Sequence, residues 1–356
     1  MFDFLVVGGG RVGLGLALAL AAEPAVQVGL VEAGPPVSSR RPRPGWPLPT
    51  QAQPGLNGRA VTLLSGRGLG GAQAWGADAQ AVHSAANLRV FTDALAVRVL
   101  LRARRAVGVE FHHGGLVQQL HAGRAVVLCG GAPQSPLLLL RSGIGPHAQL
   151  VAQGVATQHD VPGVGLGLQA PVQLRLALRL GVLAALRRRS LAELPAAPLA
   201  AGVRLQRLRD AVLLVLEQPA SRGRLRLQGK DPYQAPLPDP DLLSEREDAD
   251  ALAQAVRALL PWPAAQGLRA GRPWQAAMGA LALEGQLRER AEPGPGLAGG
   301  CLRGEGPRDV VDAQLAVHGL AGLYVADASV LDRLPRAGDV LQTLALPLAQ
   351  ALLRSG

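Results

Sequence analysis

The stretch FLVVGGGRVG, from Phe4 to Gly13, decides the fold. Its first four residues are apolar and rich in valine, which is typical of a strand buried in a parallel sheet. A Leu- and Ala-rich segment from about Val12 to Ala22 follows the glycines and predicts a helix. A second apolar strand, Val26 to Val31, ends at Glu32. The order strand, glycine turn, helix, strand predicts the opening unit of a doubly wound α/β sheet.

The glycines in this stretch have the spacing G-x-G-x-x-G of a dinucleotide-binding turn. Gly8 permits the tight turn, Gly10 lets the backbone approach a pyrophosphate, and Gly13 lets the helix pack on the strand. Glu32 follows Gly8 by 24 residues, where a carboxylate accepts hydrogen bonds from ribose hydroxyls and disfavours a 2′-phosphate. The motif does not separate FAD from NAD. A glycine-rich turn without a ligand is the alternative.

Composition excludes several other classes of protein. The chain has 356 residues, of which 48% are apolar, so it can bury a core and is not expected to be disordered. Cys129 and Cys301 are its only cysteines, which excludes a disulfide scaffold. The net charge of +10 comes from scattered arginines, and Lys230 is the only lysine, a pattern typical of a G+C-rich coding sequence. With only 3% aromatic residues to stack on bases, we expect no nucleic-acid partner.

The N-terminal sequence indicates a cytoplasmic protein. Met1 is followed almost at once by the first predicted strand, with no basic region and cleavage site of a signal peptide. The longest early apolar stretch, from Val12 to Ala22, is shorter than the roughly 20 residues that cross a bilayer. We therefore expect no integral membrane segment.

Further stretches occur in an order that matches one enzyme family. They are Glu32-Ala33-Gly34 (EAG), Gly66 to Gly71 (GRGLGG), Asn87 to Thr92 (NLRVFT), Gly131 to Gly145 (GAPQSPLLLLRSGIG) and Gly322 to Val330 (GLYVADASV). The fourth is the most specific, because it agrees position by position with a family signature. In these motifs the chain resembles the glucose–methanol–choline (GMC) oxidoreductases, which are FAD-dependent enzymes that act on alcohols.

The resemblance implies FAD as the cofactor and assigns its contacts. It implies backbone or side-chain contacts to FAD from Gly8, Gly9, Gly10, Gly13, Glu32, Ala33, Gly70, Gly71, Val97, Gly130, Asp327 and Ala328. The local sequence also supports Asp327 as a ligand contact, because Asp327 follows the apolar segment Leu323 to Val325, which is expected to be a strand. Ligands of doubly wound sheets gather at the carboxyl ends of such strands.

The chain departs from the family at the catalytic positions. Family members are longer, and the segment after Gly71, which covers the flavin in the family, is shortened here. The family's catalytic His position falls on Gly296, a few residues before Cys301. The second catalytic position falls on Gly338 or Asp339, and Asp339 is a candidate base or simply a loop carboxylate. No metal-ligand spacing is present, so we expect no metal.

These patterns predict an α/β fold in which an FAD-binding Rossmann-type, GMC-like domain carries an inserted α+β substrate domain. The FAD-binding domain is discontinuous, with residues 1–150 and 295–356, and the abbreviated substrate-binding domain takes residues 151–294. The substrate domain is expected to have an antiparallel sheet with strands near Ala211 to Glu217 and Gly223 to Leu227. A helix is expected from Glu245 to Leu260, and Pro347 is expected to kink the last helix.

The function that the resemblance implies is FAD-dependent oxidation of CH–OH groups of donors, choline-dehydrogenase-like in substrate class. A small-molecule alcohol passes a hydride to flavin N5, and its hydroxyl proton goes to a base. The resemblance does not identify the electron acceptor that reoxidises the flavin. The alternative is a catalytically inactive GMC relative that keeps the fold, with or without flavin.

Overall fold

A computed structural model describes residues 1–36, 45–71, 85–180, 200, 202–208, 211–259, 268–270, 280–335 and 340–354. The α-helices in these ranges are α1 (Arg11–Ala21), α2 (Gln134–Arg141), α3 (His147–Ala152), α4 (Arg246–Leu259), α5 (Ala280–Arg290) and α6 (Leu346–Arg354). The strands are β1 (Phe2–Val7), β2 (Val28–Val31), β3 (Trp46–Pro49), β4 (Thr62–Ser65), β5 (Leu88–Phe91), β6 (Ala94–Arg102), β7 (Arg105–His113), β8 (Leu116–Leu128), β9 (Ile144–Gly145), β10 (His159–Asp160), β11 (Leu166–Leu168), β12 (Val172–Leu180), β13 (Val203–Arg207), β14 (Ala211–Leu216), β15 (Gly223–Arg226), β16 (Leu237–Asp239), β17 (Leu268–Ala270), β18 (Glu292–Pro293) and β19 (Leu323–Val325).

The largest sheet has a parallel half and an antiparallel half. In the parallel half the strand order is β5-β2-β1-β8-β19, so the first strand of the chain lies in the middle. The other end of β8 pairs with β7, and β7 pairs with β6, both antiparallel. An order that runs outward from the first strand in both directions defines a doubly wound sheet.

The parallel strands are buried on both faces, which explains their continuous apolar runs. Leu5 and Val6 of β1 are fully buried, and Val6 lies between Leu30 of β2 and Val127 of β8. The helix α1 covers one face and packs in turn against the C-terminal segment. There a Cβ on Gly15 would lie 2.5 Å from a side-chain carbon of Leu341.

A second hydrophobic cluster lies around the antiparallel sheet of β12, β13 and β14. Its buried residues include Leu174 of β12, Leu214 of β14, and Leu252 on α4. Leu48 of β3 and Leu63 of β4 also pack in this cluster, although both precede residue 151. The division into residues 1–150 with 295–356 and residues 151–294 stays a prediction.

Both strands expected in the substrate region are present, but they lie in different sheets. Strand β14 pairs with β12 and β13, whereas β15 pairs with β11 and β16 in a separate three-stranded sheet.

Near Pro347 the backbone makes a π-helical turn, Leu341–Ala345, before α6 begins at Leu346. Residue 340 is also helical, so Pro347 lies inside a continuous helical segment in which it cannot donate an i→i−4 hydrogen bond, and the expected irregularity is this π-helical turn just before it. Within the described ranges, no helix has the length and apolarity needed to cross a membrane.

Candidate functional site

A cleft lies at the carboxyl ends of β1, β2 and β8. Its empty volume, including the space open to solvent, is about 700 Å³, and the last residues of these strands, Val7, Val31 and Leu128, line it. It sits where the strand order reverses, between β1 and β8. Doubly wound sheets bind ligands at this point, because the loops on either side run in opposite directions. We therefore identify the cleft as the candidate functional site.

The glycine turn after β1 forms the floor of the cleft. Gly8 has a φ of +105°, and a Cβ there would lie 2.5 Å from the carbonyl oxygen of Cys129. A Cβ on Gly13 would lie 1.9 Å from the carbonyl oxygen of Gly8, so α1 packs directly on the turn. A Cβ on Gly10 would instead have no described heavy atom within 4 Å, and Gly10 lines the cleft. Gly8 and Gly13 thus allow the turn and α1 to pack closely, whereas Gly10 borders open space in the cleft.

The N-terminus of α1 begins at this open space. Gly10 is its N-cap, and the first helical hydrogen bond runs from the Leu14 N–H to the Gly10 carbonyl at 2.8 Å. No side chain of the described residues caps the helix. Free N–H groups and the positive end of the helix dipole together attract an anionic group such as a pyrophosphate.

The carboxylate of Glu32 joins three loops around the cleft. Oε2 accepts a hydrogen bond from the Gly9 N–H at 2.7 Å. Oε1 accepts hydrogen bonds from the N–H groups of Gly34 at 2.7 Å and Gly68 at 2.9 Å. A carboxylate has about four acceptor positions, so one remains for a ligand hydroxyl. Glu32 lines the cleft and therefore both holds its walls and can bind a ribose.

The segment around Gly70 closes one side of the glycine turn. The Gly70 N–H donates to the Gly9 carbonyl at 2.7 Å, and Gly70 forms a parallel bridge with Gly10. Gly71 lines the cleft at a φ of +71°. Two stretches about 60 residues apart in sequence, as their numbers show, thus meet at the open space beside Gly10.

A buried network ties the closing strand β19 to the start of α2. The Asp327 side chain is 2% exposed and accepts a hydrogen bond from the Ser135 hydroxyl at 2.5 Å. It also accepts hydrogen bonds from the N–H groups of Gly131 at 2.9 Å and Ser329 at 2.8 Å. The Ser135 oxygen in turn accepts from the Gly130 N–H at 3.0 Å. This network fixes the loop after β8, which forms another wall of the cleft.

Sequence reasoning missed several residues in the walls of the cleft. Gln134, Leu138 and Arg141 lie one helical turn apart on α2 and present one face to the cleft. Their spacing of four and three residues was a usable signal, because it places side chains on one side of a helix. Trp46 of β3 also lines the cleft, and nothing in its local sequence indicated this.

The structure places half of the sequence-predicted contacts in the lining of the cleft. Lining residues from that set are Gly8, Gly10, Glu32, Ala33, Gly71 and Gly130. Val97 is buried in β6, next to the lining residue Ala96. The Ala328 carbonyl accepts a hydrogen bond from the Gly299 N–H at 3.2 Å. Asp339 lies outside the described residues.

The position aligned with the family's catalytic histidine is open but strained for a side chain. Gly296 has a φ of +95°, and no described heavy atom lies within 4 Å of a Cβ placed there. Residues other than glycine rarely adopt this backbone conformation. The described residues that line the cleft include no histidine.

Both cysteines are buried, and both feel the charge of Asp327. Burial raises the pKa of the Cys129 and Cys301 thiols well above the ordinary value, and the charge of Asp327 raises it further. A thiol that stays protonated is a poor nucleophile. Within the described ranges, no three His, Cys, Asp or Glu residues are grouped as a metal site would require.

The fold and the cleft define a doubly wound α/β protein with a dinucleotide-type site. Two protein-family profiles, both described as GMC oxidoreductase, match residues 72–172 and 219–346, together more than half of the chain. The chain belongs to the GMC oxidoreductase family. The family expectation from the sequence is thereby confirmed.

Curated relatives of the chain include enzymes of known activity. The oxygen-dependent choline dehydrogenase of Chromohalobacter salexigens is 30% identical over 300 residues, which cover 70% of this chain and 53% of the relative. The 5-(hydroxymethyl)furfural oxidase of a Methylovorus species is 32% identical over 305 residues, covering 73% and 56%. The chain therefore spans about half the length of the curated relatives it matches.

Solved structures with the same fold align over the full chain. An FAD-dependent oxidoreductase from Chaetomium thermophilum aligns with a TM-score of 0.86 at 17% identity, covering 100% of this chain and 99% of that chain. Pyridoxine 4-oxidase from Mesorbium loti aligns with a TM-score of 0.80 at 20% identity and the same coverage. These structures confirm the predicted α/β fold with a Rossmann-type domain.

Proposed function

We propose that the chain binds FAD in the cleft at the carboxyl ends of β1, β2 and β8. The observation that carries the proposal is the combination of the open space at Gly10, the uncapped N-terminus of α1 and the remaining acceptor position on Glu32. A pyrophosphate suits the first two features, and a ribose hydroxyl suits the third. Family membership implies a flavin.

The remaining contacts can be assigned to parts of the cofactor. We assign the pyrophosphate to the turn Gly8, Gly9, Gly10 with Gly13 behind it, and the ribose to Glu32 and Ala33. The Val97 backbone is assigned to the adenine, whereas Gly70, Gly71, Gly130, Asp327 and Ala328 are assigned to the flavin side. The Asp327 carboxylate already accepts three hydrogen bonds within the protein. Because Asp327 is only 2% exposed and does not line the cleft, its contribution is to hold the loop rather than to bind the cofactor through a side-chain oxygen.

The absorbance spectrum of the purified protein tests the FAD proposal. We expect flavin bands, and FAD rather than FMN after acid release and chromatography. Gly10→Ala places a methyl group in the open space without meeting described protein atoms, so it should fold and lose the bands. Gly123→Ala is the control, because Gly123 is exposed on β8 away from the cleft. A protein without flavin, even after incubation with FAD, contradicts the proposal.

We further propose that the loaded protein oxidises a small-molecule alcohol, with the electron acceptor left open. When bound, the flavin supplies the acceptor for a hydride from the alcohol carbon. The chain must supply a base for the hydroxyl proton and a hydrogen-bond donor for the developing alkoxide. Asp339 is our candidate base, since Gly296 has no side chain. The cytoplasmic location expected from the sequence is also retained as a proposal.

Anaerobic addition of choline, an aliphatic alcohol or an aromatic alcohol tests the activity. Bleaching of the flavin bands is the expected result. Asp339→Asn should keep the bands and lower the reduction rate by about a hundredfold or more, because general-base catalysis contributes roughly 10²–10⁴-fold. Equal reduction rates in the variant and the unaltered protein contradict the role of Asp339.

A second candidate function is a catalytically inactive relative that keeps flavin. Two observations favour it, namely the left-handed backbone at Gly296 and the lack of a histidine among the described cleft residues. Flavin bands that no alcohol bleaches, but that dithionite does bleach, support this alternative over the oxidoreductase.

A further inference from the structure

Arg141 occupies one end of the cleft with part of its hydrogen-bonding capacity unused. It lies in the last turn of α2 and lines the cleft beside Leu138. Its Nη2 donates to the Gln234 carbonyl at 2.8 Å, which fixes the guanidinium. Its Nε is buried and has no hydrogen-bond partner among the described residues. A buried donor without a partner costs free energy, so such groups commonly mark a missing ligand or water.

The first residues of β6 connect Arg141 to Glu32. The Ala94 N–H donates to the Glu32 carbonyl at 2.9 Å. At the far side, the Val99 N–H donates to the Ser142 hydroxyl at 2.8 Å, next to Arg141. Residues 94–96 between these two points line the cleft. The cleft therefore continues past Glu32 along β6 and ends at Arg141.

This direction determines which part of a dinucleotide reaches Arg141. If the pyrophosphate lies at Gly10 and the ribose at Glu32, the base attached to that ribose lies farther along β6. Ala94 and Ala96 have small side chains that leave space for a planar ring. An adenine carries ring nitrogens that accept hydrogen bonds, as the Nε–H of Arg141 requires.

We propose that Arg141 recognises the adenine base of FAD by donating a hydrogen bond from Nε to a ring nitrogen. The proposal rests on FAD binding in the cleft and adds the residue that distinguishes FAD from FMN. The hydrogen bond to the Gln234 carbonyl fixes the guanidinium, so the contact to the base needs little reorganisation of the side chain.

The charge state of Arg141 is compatible with this role. Burial lowers the pKa of Arg141 to about 10, and the charge of Asp231 opposes that shift. The guanidinium is therefore a cation at neutral pH and donates from all its N–H groups. Within the described residues it forms no ion pair, so a bound base need not displace a carboxylate.

The test is a titration of flavin-free protein with FAD and with FMN, followed by flavin fluorescence. Arg141→Gln should raise the Kd of FAD by roughly tenfold or more, the worth of one hydrogen bond from a charged donor. The Kd of FMN, which lacks adenine, should stay unchanged. Arg98→Gln is the matched control, because Arg98 lies on β6 but pairs with Glu110 and does not line the cleft.

Binding of fragments separates a base contact from a phosphate contact. Measured by isothermal titration calorimetry, the Kd of AMP should be higher for Arg141→Gln than for the unaltered protein, whereas the Kd of ribose 5-phosphate should be equal for both. Arg141→Lys keeps the charge and the stem but lacks Nε, and it should show the same loss. This second variant gives the answer if Arg141→Gln does not fold.

The outcomes distinguish this inference from the proposed function. If the unaltered protein binds no flavin, FAD binding and the role of Arg141 both fail. If both variants bind FAD as tightly as the unaltered protein, the role of Arg141 alone is overturned. An equal loss of FAD, FMN and ribose 5-phosphate binding also overturns it, because that pattern indicates a phosphate contact.

Discussion

The Ser135 hydroxyl donates a hydrogen bond of 2.5 Å to Oδ2 of Asp327, across 192 positions of sequence. Ser135 lies in the first turn of α2, and Asp327 lies two residues after the end of β19. Both side chains are buried, at 1% and 2% exposure. The bond joins the start of α2 to the loop after β19 on one side of the cleft.

Ser135→Ala is expected to lower the free energy of unfolding by about 1–3 kcal/mol, because a buried carboxylate loses one of its donors. Urea denaturation monitored by circular dichroism measures this change. Thr62→Ala, at an exposed position of β4, is the control and should change stability by less than about 0.5 kcal/mol. Equal midpoints for the two variants contradict the structural role of the pair.

Glu32→Gln is expected to reduce both stability and flavin affinity. The amide nitrogen of glutamine cannot accept a hydrogen bond, so at least one of the N–H groups of Gly9, Gly34 and Gly68 loses its acceptor. We expect a loss of about 1–3 kcal/mol in unfolding free energy. Exposed Glu23→Gln is the matched control. Lower flavin affinity with unchanged stability would mean that Glu32 serves the ligand alone.

Gly13→Ala is expected to destabilise the fold by at least about 2 kcal/mol, because its Cβ overlaps the Gly8 carbonyl oxygen and α1 must shift. Thermal unfolding measures the change. Gly285→Ala is a matched control in α5, where a Cβ meets no described atom within 4 Å. The control should be neutral or slightly stabilising, since alanine is the better helix former. Similar melting temperatures for both variants contradict the close packing of α1.

Neither cysteine is expected to react with a thiol reagent in the folded protein. Burial and the nearby Asp327 raise the pKa of both thiols, so raising the pH from 7 to 8.5 should not expose a thiolate. A colorimetric thiol assay should detect essentially no reactive thiol in the native protein. In urea it should detect two thiols per chain, which is the number of cysteines in the sequence. Rapid labelling of the native protein at pH 7 contradicts this prediction.

Local patterns predicted the strands and helices of the parallel sheet closely. The apolar run Leu323 to Val325 is β19 with the same bounds, and the predicted helix from Val12 agrees with α1 within one residue at each end. These elements could be predicted because burial on both faces of a strand, or along one side of a helix, leaves a periodic trace in the sequence.

Contacts between segments that are distant in sequence could not be predicted, because they produce no periodic pattern of residues. The sequence indicated that Asp327 follows a strand, but the pairing with Ser135 depends on how β19 and β8 align. Arg141 was quoted as part of a motif, yet only the position of α2 against β6 shows that it lines the cleft. The separate sheets of β14 and β15 were missed for the same reason, because strand partners are set by tertiary packing.

The packing of α1 against Leu341 has a consequence for synthesis of the protein. Leu341, which covers Gly15 of α1, and the outer strand β19 are synthesised about 300 residues after α1. The apolar back of α1 thus stays uncovered until that later segment has been made. We expect a ribosome-bound nascent chain to gain protease resistance only after Leu341 has left the ribosome, and folding to be slow because its decisive contacts are non-local.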